Sequence, residues 1–264
     1  MLVSNIFVYP VKSLKSTELA SVIVKKRGFE NDRRYMIIDD TNNFVTQRQY
    51  PELGEIEVFL KNKRINFINR ITNSSISQKT ELSDKKISVS IWNSICNASL
   101  LKSTLFDDWI SAFCKAPLKL VYMADEDLRL VNQKYGKPND IVSFADGYPV
   151  LITNTASLDA LNQKLIEPMG MERFRPNLVI NGKNAWEEDN WKNIKIGEVI
   201  LRVVKPCARC IVITIDQKTG QQGKEPLFTL SKFRKENNKV LFGMNAIVEK
   251  GGRINRNDKV EIIE

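Results

Sequence analysis

Lys205-Pro-Cys-Ala-Arg-Cys210, continuing into Ile211-Val-Ile-Thr-Ile-Asp-Gln-Lys-Thr-Gly220, is the stretch on which the reading turns. Two of the four cysteines stand here, three apart, with Pro206 and Arg209 beside them. The apolar strand-like run Glu198-Val-Ile-Leu-Arg-Val-Val204 delivers the chain to Cys207. On the far side the β-branched run Ile211–Ile215 predicts strand again, and Asp216 to Gly220 reads as a turn. A thiol held at the end of a strand points in a fixed direction, and the charges of Lys205 and Arg209 favour its ionised form. A lone Cys-x-x-Cys fits redox or zinc chemistry as readily as anything else. A thioredoxin-like site would place the pair at a helix N-terminus, which the β-branched residues after Cys210 argue against.

Working outward, composition removes several kinds of chemistry. The 264 residues contain no histidine, so Ser-His-Asp and Cys-His catalysis, His-ligated zinc and imidazole acid–base steps are excluded. Four cysteines in a chain of this length do not make a disulfide scaffold, and without a second Cys-x-x-Cys a four-cysteine zinc site lacks its usual spacing. Cys96 and Cys114 are isolated, and Cys114 falls on an apolar helical face, which predicts a buried role. Forty Lys and Arg against 31 Asp and Glu leave a formal charge of +9, suited to an anionic ligand or an acidic protein partner. No common nucleic-acid motif accompanies that charge, so no nucleic-acid partner is expected. The first ten residues lack a basic segment before an apolar one, and no apolar run approaches the roughly 18 residues of a membrane helix. A cytoplasmic protein with no membrane association is the expectation.

The first 95 residues or so alternate apolar and polar positions, as in Ile56/Val58/Leu60, Ile65/Phe67 and Ile87/Val89/Ile91, with Asn, Ser and Lys between. That is the period of half-buried strands. Tyr35–Ile38, a turn at Asp39–Asn43 and Phe44–Arg48 read as a hairpin. Leu101, Leu105, Trp109 and Phe113 recur every four residues and predict one long amphipathic helix. Residues 124–140 are polar, with Gly136 and Pro138, and read as a long surface loop. Ile194–Gly197 reads as a turn, a helix follows Thr153–Thr155, and short strands close the chain. The fold class is α+β and β-rich, with two β-barrel-like halves divided as residues 1–118 and 119–264.

Several segments in order resemble one family. They are Tyr9-Pro-Val-Lys-Ser13, Asp32-Arg33, Val45-Thr-Gln-Arg48, Asp146 to Pro149, Phe174-Arg-Pro-Asn177, Cys207 to Cys210 with Thr214 to Gly220, Lys224-Glu-Pro-Leu227 and Leu241-Phe-Gly243. Together they are similar to MOSC-domain proteins that carry an N-terminal MOSC β-barrel domain, the branch of the mitochondrial amidoxime-reducing components and their bacterial relatives. The resemblance implies an N-terminal MOSC β-barrel-like domain, a C-terminal MOSC β-barrel domain with short helices, and a molybdenum cofactor, Mo-molybdopterin. It implies Cys210 as thiolate ligand to the metal, and Asp146 near the metal as a candidate for proton handling in catalysis. It further implies Lys12, Ser13, Arg33, Gly147, Tyr148, Arg175, Asn177, Ala208, Arg209 and Asn245 around the pterin and its phosphate, with Cys207 a neighbour only. Arginine forks suit phosphate and pterin edges. In the mitochondrial branch small hydroxyl residues follow the position of Asp146; here Gly147 and Tyr148 do.

The activity implied is reduction of N-hydroxylated compounds such as hydroxylamines, N-hydroxylated bases and amidoximes. No ferredoxin-like cysteine cluster follows the second half, so a separate acidic electron-transfer protein, ferredoxin-like or cytochrome b5-like, is the expected partner. The alternative is a non-catalytic carrier that passes on the cofactor, or a persulfide held on Cys210.

Overall fold

The alternating segments become strands, arranged in four sheets of a computed structural model that describes residues 1–217 and 219–263. The chain is α+β and β-rich, with three short α-helices among the described residues. The largest sheet has nine strands, eight on one path and Lys235–Glu236 paired beside it with Lys239–Lys250. Its path runs from Val260–Ile263 through Asn193–Ile196, Val199–Arg209, Lys239–Lys250, Val150–Asn154 and Leu178–Asn181 to Leu2–Val8 and Thr17–Leu19. Every pairing on that path is antiparallel except one. Val150–Asn154 runs parallel to Leu178–Asn181. A parallel pair needs a crossover, and the connection here contains the helix at Thr155–Asn162, capped by the Asn154 side chain, which accepts from Ala156 N–H at 3.0 Å.

A four-stranded sheet joins Tyr35–Ile38, Lys119–Tyr122, Ser94–Leu101 and Leu82–Ile91. Three-stranded sheets join Ile56–Lys61 with Arg64–Asn69 and Ser74–Lys79, and Gly252–Asn255 with Ser21–Lys25 and Gly28–Phe29. Strands cross between the two parts of the chain. Leu2–Val8 lies in the large sheet, and Lys119–Tyr122 lies between N-terminal strands. The inward residues of the large sheet, among them Val3, Ile152, Ile180, Ile194, Leu201 and Ala246, form one core. A second gathers Val11, Leu53, Ile56, Phe67, Phe106 and Ile110.

Four segments depart from the sequence pattern. The helix predicted from Leu101 begins at Leu105 and ends at Cys114. Leu101 instead closes a strand, opposite Leu82, because Gln78 reaches the helix start and accepts from Phe106 N–H at 2.9 Å. The hairpin expected at Phe44–Arg48 shrinks to a single Ile38–Phe44 bridge. Asp39 holds its turn, accepting from Thr41 and Asn43 N–H, and Gln49 then draws Thr46 out of the ladder. Ile194–Gly197 is mostly strand, Asn193–Ile196, with the turn starting at Gly197, whose φ of 57° suits glycine.

The β-branched run after Cys210 is the fourth. Ile211–Thr214 is a 3-10 turn, not a strand. Ile213 N–H bonds the Cys210 carbonyl and the Thr214 hydroxyl bonds Ile211 O, so local bonds replace ladder bonds. Lys218, within the turn predicted at Asp216–Gly220, lies outside the described residues.

Candidate functional site

Cys210 is presented by the longest pair of strands. Val199–Arg209 runs antiparallel to Lys239–Lys250, and its register shifts between Val203 and Lys205 and again between Pro206 and Ala208. Pro206 has no N–H to give a ladder, and bulges bend a strand and re-aim its side chains. The strand stops at Arg209, and Cys210 stands at the N-cap of the 3-10 turn. Gly243 on the partner strand has φ 75°, and a Cβ there would lie 2.7 Å from Ile152 O, so only glycine lets the wall close at this point.

The opposite wall comes from the N-terminal part. After Pro10 the chain turns, with Lys12 N–H bonded to Tyr35 O and Ser13 at φ 76°. Gln47, fully buried, donates to Ser13 O at 2.6 Å and pairs with Gln217, tying this wall to the segment after Cys210. Between the walls lies a cleft of about 280 Å³. All twelve positions expected from the sequence line it: Lys12, Ser13, Arg33, Asp146, Gly147, Tyr148, Arg175, Asn177, Ala208, Arg209, Cys210 and Asn245.

Their engagement differs. Arg33 and Arg175 both lie over Tyr9, 3.9 and 4.5 Å from its ring centroid. Arg33 also pairs with buried Asp32 at 2.6 Å. Arg175 donates to Leu14 O at 2.8 Å, and burial brings its guanidinium down to about 10. Asn177 is spent largely on backbone, accepting from Leu151 N–H and donating to Phe7 O. Asn245 reaches the Lys205 and Pro206 carbonyls only at 3.4 Å.

Lys12 forms an ion pair with Asp146. Burial pushes the Lys12 ammonium below its ordinary value against the pull of Asp146. Burial alone would raise the Asp146 carboxyl, but the Lys12 charge, the Trp92 N–H and Arg33 outweigh it and hold it well below the usual carboxylate range. The Asp146 side chain is 73% exposed to the open cleft, so water screens both effects and the direction rests on the direct Lys12 contact.

Of the two cations expected at the sulfurs, Arg209 makes a contact and Lys205 does not. Arg209 donates to Cys207 Sγ at 2.9 Å, whereas Lys205 stands over the Tyr135 and Tyr148 rings. Cys210 Sγ instead receives Arg48 Nη2 at 3.1 Å. Arg48 ends the Val45–Arg48 segment, so its position was in view but its role was not. Trp92, which donates to Asp146 Oδ1 at 3.3 Å, and Arg129 carry no sequence signal of this kind. Arg129 is buried and donates to the carbonyls of Ser143, Ala145 and Asp146, so the largely exposed 124–140 loop is anchored beneath Asp146 through this side chain.

The donor set decides what the cleft can hold. Lys12, Arg33, Arg175, Lys205 and Arg209 face it, against Asp146 and the buried Asp32. Arg209 Nε is buried without a hydrogen-bond partner. Buried and half-buried cations in such excess call for an anion. Among the described residues no three His, Cys, Asp or Glu side chains converge as a metal site. A metal beside Cys210 must therefore bring most of its donors with it, as a dithiolene pterin with a phosphate tail does, and the residues fit that group.

The chain is 30% identical to mitochondrial amidoxime-reducing component 1 of Homo sapiens, over 99% of its own length and 82% of that protein. The chain belongs to the MOSC-domain family. The family profile described as MOSC domain matches residues 139–261, and that described as MOSC N-terminal beta barrel domain matches residues 1–117. Human molybdenum cofactor sulfurase is 29% identical over 92% of this chain, which spans 29% of that protein. A solved structure, the YUAD protein from Bacillus subtilis, is similar over 98% of this chain and 93% of its own, at 9% identity and a TM-score of 0.46. No helix among the described residues of this MOSC protein is long and apolar enough to cross a membrane.

Proposed function

We propose that this MOSC protein is a molybdenum-cofactor-binding oxidoreductase that reduces N-hydroxylated compounds with electrons from a separate donor protein. The observation that supports this reading is a cation-lined cleft onto which Cys210 and its neighbour Cys207 open, with no group of three His, Cys, Asp or Glu among the described residues that could hold a metal unaided. The overall reaction is R–NHOH + 2 H⁺ + 2 e⁻ giving R–NH₂ + H₂O. When bound, the cofactor would supply two-electron redox chemistry at its metal.

The chain's own residues do the rest. Cys210 provides the thiolate, and Arg48 donates to its sulfur. Lys12, Arg33, Arg175 and Arg209 hold the pterin and phosphate, with Ser13, Ala208, Asn177 and Asn245 shaping the walls. The Lys12–Asp146 pair handles protons with the proton resting on Lys12 Nζ, since Asp146 is held ionised. The net charge of +9 suits an acidic electron donor.

Protein made in a cofactor-competent host and supplied with a reduced viologen should reduce benzamidoxime, and Cys210→Ala should not. A second reading, a carrier for the cofactor or for a persulfide on Cys210, draws on the similarity to the sulfurase. Molybdenum-loaded protein without reductase activity, or sulfane sulfur on Cys210 without molybdenum, would favour it.

A further inference from the structure

Trp92 occupies a backbone position that a bulky aromatic residue does not adopt freely. It is the first residue of the two-residue loop between Leu82–Ile91 and Ser94–Leu101, where Ile91 pairs with Ser94, and its φ is 52°. Glycine, asparagine and aspartate are the usual occupants of such a position. Strain of this kind persists where the surroundings over-determine it, and it gathers at ligand sites.

The surroundings of Trp92 are the cleft. Its N–H donates to Asp146 Oδ1, and its ring packs on Phe44 with centroids 4.7 Å apart. The Arg48 guanidinium lies 4.6 Å from the ring centroid, and the same guanidinium reaches the Cys210 sulfur at 3.1 Å. One flat, conjugated, cationic C–N group thus lies between an indole and the Cys210 thiol. It sits on an exposed, flexible side chain whose guanidinium contacts among the described residues are this ring and this sulfur, neither a carboxylate. Next to Asp146 the cleft is open: a Cβ on Gly147 would meet nothing within 4 Å.

We propose that Trp92 is the specificity-determining residue of the cleft, and that a planar, conjugated substrate stacks on its indole in the place Arg48 holds, beside Cys210. Arg48 swings out as the substrate enters, and the N–H bond to Asp146 keeps the ring oriented. Saturated hydroxylamines of the same size gain nothing from the indole face. The inference rests on the reductase reading for its substrates but not for its binding step.

Two measurements separate them. In cofactor-free protein, titration with benzamidine should shift the indole Nε1 resonance of Trp92, identified by its loss in Trp92→Phe. Trp92→Leu should weaken benzamidine binding about tenfold, and Trp92→Phe, which keeps an aromatic face, should lie between. In loaded protein, where loss of the Asp146 contact lowers turnover of every substrate alike, Trp92→Leu should lower kcat/KM for benzamidoxime about tenfold more than for N-hydroxycyclohexylamine. Unaltered benzamidine binding in Trp92→Leu, or equal losses for both substrates, would overturn the proposal. Absence of all N-hydroxylated-compound reduction would sink the reductase reading while the benzamidine titration still decided the stacking.

Discussion

Around the helix Leu105–Cys114, aromatic rings pack on one another: Phe67 on Phe106 at 4.1 Å between centroids, Trp109 on Phe113 at 6.1 Å. Cys114 ends that helix at 8% exposure, and burial pushes its thiol up to about 12. Across the molecule Cys210 stands half-buried in a cleft whose walls carry Lys12, Arg33, Arg175 and Arg209. The first region excludes charge and silences its cysteine. The second accumulates positive charge against few carboxylates and offers its cysteine a guanidinium donor. A fold core tolerates no such excess without an anionic partner, so the contrast marks the cleft as built for a ligand and not for stability.

Truncating the aromatic region has the largest expected cost. Phe106→Ala should lose about 3–5 kcal/mol in denaturant melts, because Phe106 is fully buried against Phe67 and Trp109. A loss below about 1 kcal/mol would mean that this cluster is not a core. The same region holds one misfit. Burial raises the Asp107 carboxyl to about 6, against the Leu120 N–H bond that favours its ionised form. Below about pH 4 the group is protonated whether folded or unfolded, and above pH 6 it is charged in both, so its penalty appears as pH rises between those values. Asp107→Asn, which keeps an acceptor for Leu120, should gain about 2 kcal/mol at pH 7 and nothing at pH 4.

The cleft should respond differently. Lys12→Met removes a buried charge whose burial lowers its pKa, so stability at pH 7 should move by less than about 1 kcal/mol while bound molybdenum falls. A large loss of stability with normal cofactor content would reverse the comparison. Smallest in energy is a labelling difference. In the folded cofactor-free protein iodoacetamide should modify Cys207 and Cys210, and reach Cys96 and Cys114 only after unfolding. Equal rates at all four would erase the distinction between the two regions.

The parts of this arrangement legible in the sequence are those with a period or a fixed spacing. Alternation in Ile56–Leu60 and Ile87–Ile91 marks strands because one face is buried, and the ordered segments from Lys12 to Cys210 supply residues to one cleft. What escaped depends on partners distant in sequence. Gln78 sets the start of the helix, which no pattern at Leu101 reveals. Ile211–Thr214 has strand propensity but no neighbour to pair with, and it folds on its own carbonyls. Arg129 looks like any charged loop residue until three carbonyls from Ser143 to Asp146 converge on it. Trp92 and Arg48 gain their meaning only when a hairpin from one end of the chain meets a thiol from the other.

Molybdenum and pterin per chain, measured side by side in the wild type, Cys210→Ala and Cys114→Ala after expression in a cofactor-competent host, test the central claim most directly. The account predicts about one molybdenum per chain in the wild type and in Cys114→Ala, and its loss in Cys210→Ala. A wild type that carries zinc or no metal, or a Cys210→Ala protein with full molybdenum, would contradict it.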